Sequence, residues 1–193
     1  MSNQKSSSAA GPGFANSEDL SRSTISGRDS EVCPRLPIAV LLDDIRSMYN
    51  VGAFFRAADG VGLQKLCLCG ITAHPPKNAI SKTALGAEET VPWEHNWDAV
   101  EMLNGLRNSG YEIAAIETSP NAIDLYEWQP KFPVCVAFGN EVQGLRKELL
   151  ELADTHVRIP MLGKKNSLNV ATAGGVVLYE LLRKYRILSG NAG

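Results

Sequence analysis

The chain is 193 residues long, 44% hydrophobic and 21% charged, with a formal net charge of −2. That length and composition describe one globular domain plus a tail, with enough apolar side chain for a substantial core, and they exclude a polycation. No apolar run approaches the roughly 18 residues of a membrane-spanning helix, and the N-terminus lacks the apolar segment of a signal peptide.

The charge is unevenly spread. Residues 1–139 hold 11 Lys/Arg against 16 Asp/Glu, whereas residues 140–193 hold 8 against 5. The positive excess toward the C-terminus is compatible with a phosphate-binding surface and equally with ordinary solvated lysines.

Residues 1–35 are mostly Ser, Gly, Asn and charge. Such a stretch cannot bury enough surface to offset its ordering entropy, so it reads as a disordered tail ahead of a folded domain over 36–190. An RNA-contacting arm is the competing reading, but Arg22, Arg28 and Arg35 are diluted by Glu18, Asp19, Asp29 and Glu31.

From residue 36 strand and helix signals alternate. The apolar run 38–42 reads as a buried strand, 43–50 as a polar loop, and 51–61 as a helix ending at Gly60 or Gly62. A second strand covers 65–69, a short helix 78–85 is closed by Gly86, and 91–93 is extended. The helix expected over 97–106 carries Trp97, Val100, Leu103 and Leu106 at three-residue steps. A strand over 111–116, a connection over 121–129 and a strand over 133–138 follow. A helix over 146–153, a strand over 157–161 and a last helix over 170–187 complete the order. This alternation with continuously apolar strands predicts an α/β fold, a mostly parallel sheet with helices on both faces. Ala171, Ala173, Gly174 and Gly175, near the start of the last helix, fit tight helix-on-sheet packing or a subunit interface; we favour the interface.

Cys33, Cys67, Cys69 and Cys135 show no paired framework. Cys67 and Cys69 share one face of a strand and, with His74, fall one ligand short of a structural zinc site. Buried reduced thiols and no metal are therefore expected, which implies a cytosolic setting.

Several chemistries are disfavoured by their missing motifs. Gly60-x-Gly62 lacks the third glycine of a dinucleotide fingerprint and lies at a helix end. Gly163-Lys-Lys-Asn-Ser167 lacks the earlier glycine of a phosphate loop, because position 158 is Arg. Nothing resembles a nucleophile elbow. Three polar loops remain, each at the carboxyl end of an expected strand: Asn50, Gly52 and Arg56; Gly139, Asn140, Glu141 and Gly144; Lys164, Lys165, Ser167 and Asn169. Singly, each is explained by a helix cap or a surface charge, with Asn50 at the N-cap of the first helix and Ser167 or Asn169 at that of the last. Three such loops at one sheet edge, where α/β sheets place ligands, make independent capping a poorer explanation.

At these residues the chain resembles a known family. Asn50-x-Gly-x3-Arg56, Phe138-Gly-Asn-Glu-x2-Gly144 and Ile159-Pro-Met-x5-Ser-Leu-Asn-Val170 look like the three ordered signature motifs of the SpoU (TrmH-like) RNA 2′-O-methyltransferases of the SPOUT superfamily. Ser81-x-Thr-Ala-Leu-Gly-Ala87 also resembles that family, and the similarity covers roughly 37–187. The resemblance implies a trefoil knot at the C-terminal end, a homodimer, S-adenosylmethionine as methyl donor and tRNA or rRNA as partner, in the cytoplasm and without a metal or membrane. Carried over position by position, it implies a donor pocket at Thr118, Gly139, Ile159, Met161 and Leu168, largely through backbone groups. It implies Asn50, Arg56, Glu141, Ser167 and Asn169 as catalytic and RNA-orienting residues.

Within that scheme a guanidinium is no base at neutral pH, so Arg56 is expected to grip the adjoining phosphate and stabilise a developing alkoxide. Glu141 is expected either as the base or as the group holding Asn50 and Arg56. With a short, nearly neutral tail, RNA affinity is expected from the catalytic domain, through Arg146, Lys147, Arg158, Lys164, Lys165, Arg183, Lys184 and Arg186. Two alternatives stay open: a catalytically silent RNA- or cofactor-binding module of the same fold, and an RNA base methylase.

Overall fold

The computed structural model describes residues 35–190; the expected tail up to residue 34, with Cys33, lies outside the described residues. Strands β1 (Leu36–Asp43), β2 (Leu63–Cys69), β3 (Trp93–Asn96), β4 (Glu112–Ile116), β5 (Ile123–Asp124), β6 (Val134–Phe138) and β7 (Thr155–Arg158) form one sheet. Between them run helices α1 (Met48–Val61), α2 (Asn78–Ala84), α3 (Ala87–Thr90), α4 (Ala99–Asn108), α5 (Lys147–Leu152) and α6 (Val170–Leu188). The strand order is β3-β2-β1-β6-β4-β7-β5, and every pairing between these strands is parallel.

Because successive strand residues face opposite sides, the sheet carries two cores. Ile38, Val40 and Leu42 of β1, with Val134, Val136 and Phe138 of β6, face α1, α2 and α6. Ala39, Leu41, Cys67, Cys69, Cys135 and Ala137 face α4 and α5. The mostly small residues of the second face let those two helices lie close. Parallel pairing buried on both sides explains why the strands read as continuous apolar runs.

Several boundaries differ from the sequence expectation for local reasons. Helix α1 starts earlier: Ser47, not Asn50, is its N-cap, with the Asn50 N–H donating to the Ser47 hydroxyl at 3.3 Å. Trp97 is 74% exposed and precedes α4, because Asp98 caps that helix by accepting from the N–H groups of Val100 and Glu101. The buried stripe of α4 is Ala99, Met102, Leu103 and Leu106. Strand β3 begins after Pro92 and β7 ends before Pro160, since proline has no N–H for a ladder. The connection over 121–129 contains β5, a two-residue edge strand. Leu85, in the left-handed region, closes α2 in place of Gly86. Gly174 is packed within the chain: a Cβ there would sit 2.2 Å from the Phe54 ring of α1, whereas Gly175 faces open space.

What matters for function is the order β1-β6-β4-β7. Residues distant in sequence thereby have their strand ends side by side, one interstrand spacing of about 4.8 Å apart.

Candidate active site

The loop after β6 turns back on itself at once. Asn140 accepts from the N–H groups of Val142 and Gln143, and its amide donates to the Asp44 carbonyl at 2.9 Å. A Cβ at Gly139 would lie 2.2 Å from the Gly144 carbonyl carbon, so only glycine admits this fold-back. The turn aims Glu141 at the neighbouring β1–α1 loop. There its carboxylate accepts from the N–H of Arg46 at 3.0 Å, the N–H of Ser47 at 3.1 Å and the amide of Asn50 at 2.9 Å. Asn50 Oδ1 in turn accepts from Asn169 Nδ2 at 3.2 Å. Asn169 is the N-cap of α6, accepting from Ala171 and Thr172. One residue from each of the three motifs thus joins a single hydrogen-bonded string, Glu141–Asn50–Asn169.

This arrangement sets the character of Glu141. Partial burial alone would raise its pKa, but the N–H groups of Arg46 and Ser47 and the Asn50 amide outweigh it and hold the carboxyl below its usual value. The group is a stable anion and a weakened base, built to hold the loop and Asn50. Sequence spacing marked Glu141 and Asn50 but missed the backbone donors at Arg46 and Ser47.

Beside the string, between the ends of β6, β4 and β7, lies a cleft of about 620 Å³. Thr118, Gly139, Ile159, Met161 and Leu168 all line it, as do Glu141, Ser167 and Asn169. Ile116, Phe138, Val157 and Ile159 supply apolar wall, and the loops after β6 and β7 supply backbone polar groups. Its size suits a small organic ligand, and apolar walls with backbone donors and acceptors suit an adenosyl group. Glu117 also lines it; in the sequence it reads only as the polar end of the 111–116 strand, because one acidic residue after a strand has no spacing signature. The β1 end is fixed from below by Asp43, 1% exposed, which accepts two hydrogen bonds from Arg146 at 2.7 and 2.9 Å.

Arg56 is not brought into this cleft. It is exposed on α1 and lines a separate groove with Ala53, Lys82, Thr83 and Tyr179. The expected basic surface also needs correction. Lys184 is buried and donates to the carbonyls of Leu125 and Trp128, so it clamps α6 to the β5–β6 connection instead of facing solvent. Arg146 is held by Asp43, Arg183 by Glu180, and Lys147 pairs with Glu151. Arg158, Lys164 and Lys165 remain exposed around the cleft and the loop after β7.

Among the described residues, the cysteine and histidine side chains lie outside this site. Burial, reinforced by Glu94, pushes the Cys67 thiol up to about 12, and burial also raises Cys69 and Cys135. The His74 ring stacks on Trp93, with centroids 5.7 Å apart. Among the described residues no three His, Cys, Asp or Glu side chains are grouped to hold a metal ion, and no helix is long and apolar enough to cross a membrane.

The pattern of the SpoU rRNA methylase family matches residues 37–179. The chain belongs to the SpoU family. Among SpoU relatives, the 23S rRNA (guanosine-2′-O-)-methyltransferase RlmB of Shewanella oneidensis is 35% identical over 156 residues, covering 78% of this chain and 61% of that protein. The A. aeolicus TrmH/SpoU tRNA modifying enzyme superposes with a TM-score of 0.73 at 30% identity, covering 81% of this chain and 79% of that one. The AdoMet-bound rRNA methyltransferase from Sinorhizobium meliloti superposes with a TM-score of 0.71 at 29% identity, covering 76% of this chain and 56% of that one. The chain spans about three fifths of the length of the curated SpoU relatives it matches. The mostly parallel sheet with helices on both faces is thus a SpoU-type fold.

Proposed function

We propose that this protein transfers the methyl group of S-adenosylmethionine to a ribose 2′-hydroxyl in structured RNA, a tRNA or an rRNA. The observation that carries this reading is the Glu141–Asn50–Asn169 string at the mouth of an apolar-walled cleft. Three motifs distant in sequence converge there on one polar edge beside a pocket fit for an adenosyl group. Named relatives that methylate guanosine 2′-oxygens in 23S rRNA support the reaction class.

When bound, the donor supplies a methyl on a positively charged sulfonium. Ile159, Met161 and Leu168 would hold its adenine, with backbone groups of the loops after β6 and β7 as hydrogen-bond partners. The ribose oxygen forms the new C–O bond as the S–C bond breaks, its proton leaves to solvent or a nearby acceptor, and S-adenosylhomocysteine departs. Asn50, fixed between Glu141 and Asn169, orients the target ribose, and Ser167 and Asn169 hold the loop against it. Arg56 lies six residues along α1 from Asn50, ~9 Å in helix rise, on a separate groove, and there grips a phosphate of the bound RNA. Glu141 holds Asn50 in place, in keeping with its weakened basicity.

The protein works in the cytoplasm as a homodimer. The open side of Gly175 on α6 is a surface a second copy would cover. The family's trefoil knot fits the sheet order, in which β7 is inserted beside β4 after β6 has paired with β1.

The test is tritiated methyl transfer to RNA from cells lacking the protein, with wild type beside Glu141→Ala. Wild type should label the RNA and protect one linkage from alkaline cleavage, and Glu141→Ala should lose at least tenfold in rate. Label that leaves alkaline cleavage intact would mean base methylation, and no label at all would sink the proposal. Light scattering that gave the mass of one chain would remove the dimer.

A further inference from the structure

Sheet order gives each part of the cleft a distinct job. The Glu141–Asn50–Asn169 string sits over the β1 and β6 ends, and the apolar wall of Ile159 and Met161 sits over β7. Strand β4 lies between β6 and β7. A donor reaching from the apolar wall to the polar string would pass over the end of β4, where Glu117 lines the cleft. On an adenosyl sulfonium the middle is the ribose.

The Glu117 carboxylate is positioned for that group. Oε1 accepts from the Thr118 N–H at 2.9 Å and Oε2 from the Leu145 N–H at 3.3 Å, so the side chain is pinned at the cleft floor. A carboxylate offers about four lone-pair sites, and these two bonds leave acceptor capacity on both oxygens. Gly144, at φ 73°, brings its backbone so close that a Cβ would lie 2.5 Å from Oε2. The loop after β6 is thus shaped around this carboxylate. Glu141, the other carboxylate lining the cleft, already accepts three hydrogen bonds.

We infer that Glu117 is the residue that recognises the methyl donor's ribose, its two oxygens accepting hydrogen bonds from the 2′- and 3′-hydroxyls. This rests on the proposed use of S-adenosylmethionine and adds a specificity element to it. A donor or product without the cis-diol would be discriminated against here.

Calorimetric titration with S-adenosylhomocysteine tests this without any turnover. Glu117→Gln keeps the shape and loses the charge, and should bind S-adenosylhomocysteine about tenfold to a hundredfold more weakly than wild type. Wild type should weaken by a similar factor toward the 2′,3′-dideoxy analogue, while Glu117→Gln should hardly distinguish the two ligands, the two losses being one interaction. If Glu117→Gln discriminates the dideoxy analogue as strongly as wild type does, Glu117 only shapes the loop and the inference is wrong. If the loss that vanishes in the variant is instead that of a desamino analogue, the group read is the ammonium and the diol assignment falls. Should the variant fail to fold, wild type that binds both ligands equally would overturn the proposal on its own. Wild type that binds no S-adenosylhomocysteine would remove the methyltransferase reading itself, a separate outcome.

Discussion

The carboxylate of Glu141 faces three donors, and its lowered pKa has a direct consequence for acid stability. A carboxyl whose folded pKa is depressed adds stability above its unfolded value, about 4.3, and loses it as pH falls through the folded value. Urea unfolding of wild type and Glu141→Gln should therefore show a gap near neutral pH that narrows as the pH falls below the usual carboxylate range. A gap that stays constant would mean the three hydrogen bonds do not depend on the charge. At this scale the sequence was legible where motif spacing marked a residue, as at Asn50, Glu141 and Asn169. It was opaque where the partner is backbone, as at Arg46 and Ser47, or where a lone side chain is drawn into the interior. Lys184 reads as a solvated cation on a helix end, and only the fold reveals the carbonyls of Leu125 and Trp128 around it.

Between elements, the contact of α1 with α2 explains the glycine of the first motif. A Cβ on Gly52 would sit 2.0 Å from the Thr83 hydroxyl and 2.4 Å from the Ile80 carbonyl oxygen. The Thr83 hydroxyl also donates to the Tyr49 carbonyl at 3.0 Å, so α2 is fastened to the first turn of α1, where Asn50 stands. Gly52→Ala should cost about 1–3 kcal/mol through this overpacking, read as a lowered urea midpoint at unchanged slope. Unaltered stability would show that α2 can shift freely. Long apolar strands and helices were legible because continuous burial and 3.6-residue periodicity are written locally. Strand β5 was not, since two residues carry no periodicity, and Trp97 misled because an exposed aromatic happened to continue the spacing of the α4 stripe.

For the whole molecule, the parallel sheet was legible from alternation, but its order was not. The pairing of β1 with β6 joins segments nearly a hundred residues apart, as the Asp43–Arg146 bridge with its separation of 103 also does. Such pairing leaves no local mark. Charge is likewise a whole-molecule property: Lys184 is buried, Arg146 is held by Asp43 and Arg183 by Glu180, whereas Arg56, Arg158, Lys164 and Lys165 stand exposed. Under the proposed function, replacing Lys164 and Lys165 together by Ala should weaken RNA binding about evenly across sequences. It should also reduce the slope of log affinity against log salt by about 1.5–2. Filter binding between low and moderate salt measures this, and an unchanged slope would exclude both lysines from phosphate contact.

The string from Glu141 through Asn50 to Asn169 spans sequence separations of 91 and 119 residues. Contacts that remote form late, after loop-closure entropy has been overcome. During synthesis, β1 and α1 leave the ribosome long before their partners exist, so the Glu141 bond to Asn50 must wait for the loop after β6 and the Asn169 bond for the start of α6. The polar edge is therefore complete only once the start of α6 has been made, and a chain cut short before it, though it carries Arg56 and strands β1 to β7, lacks the Asn169 end of the string.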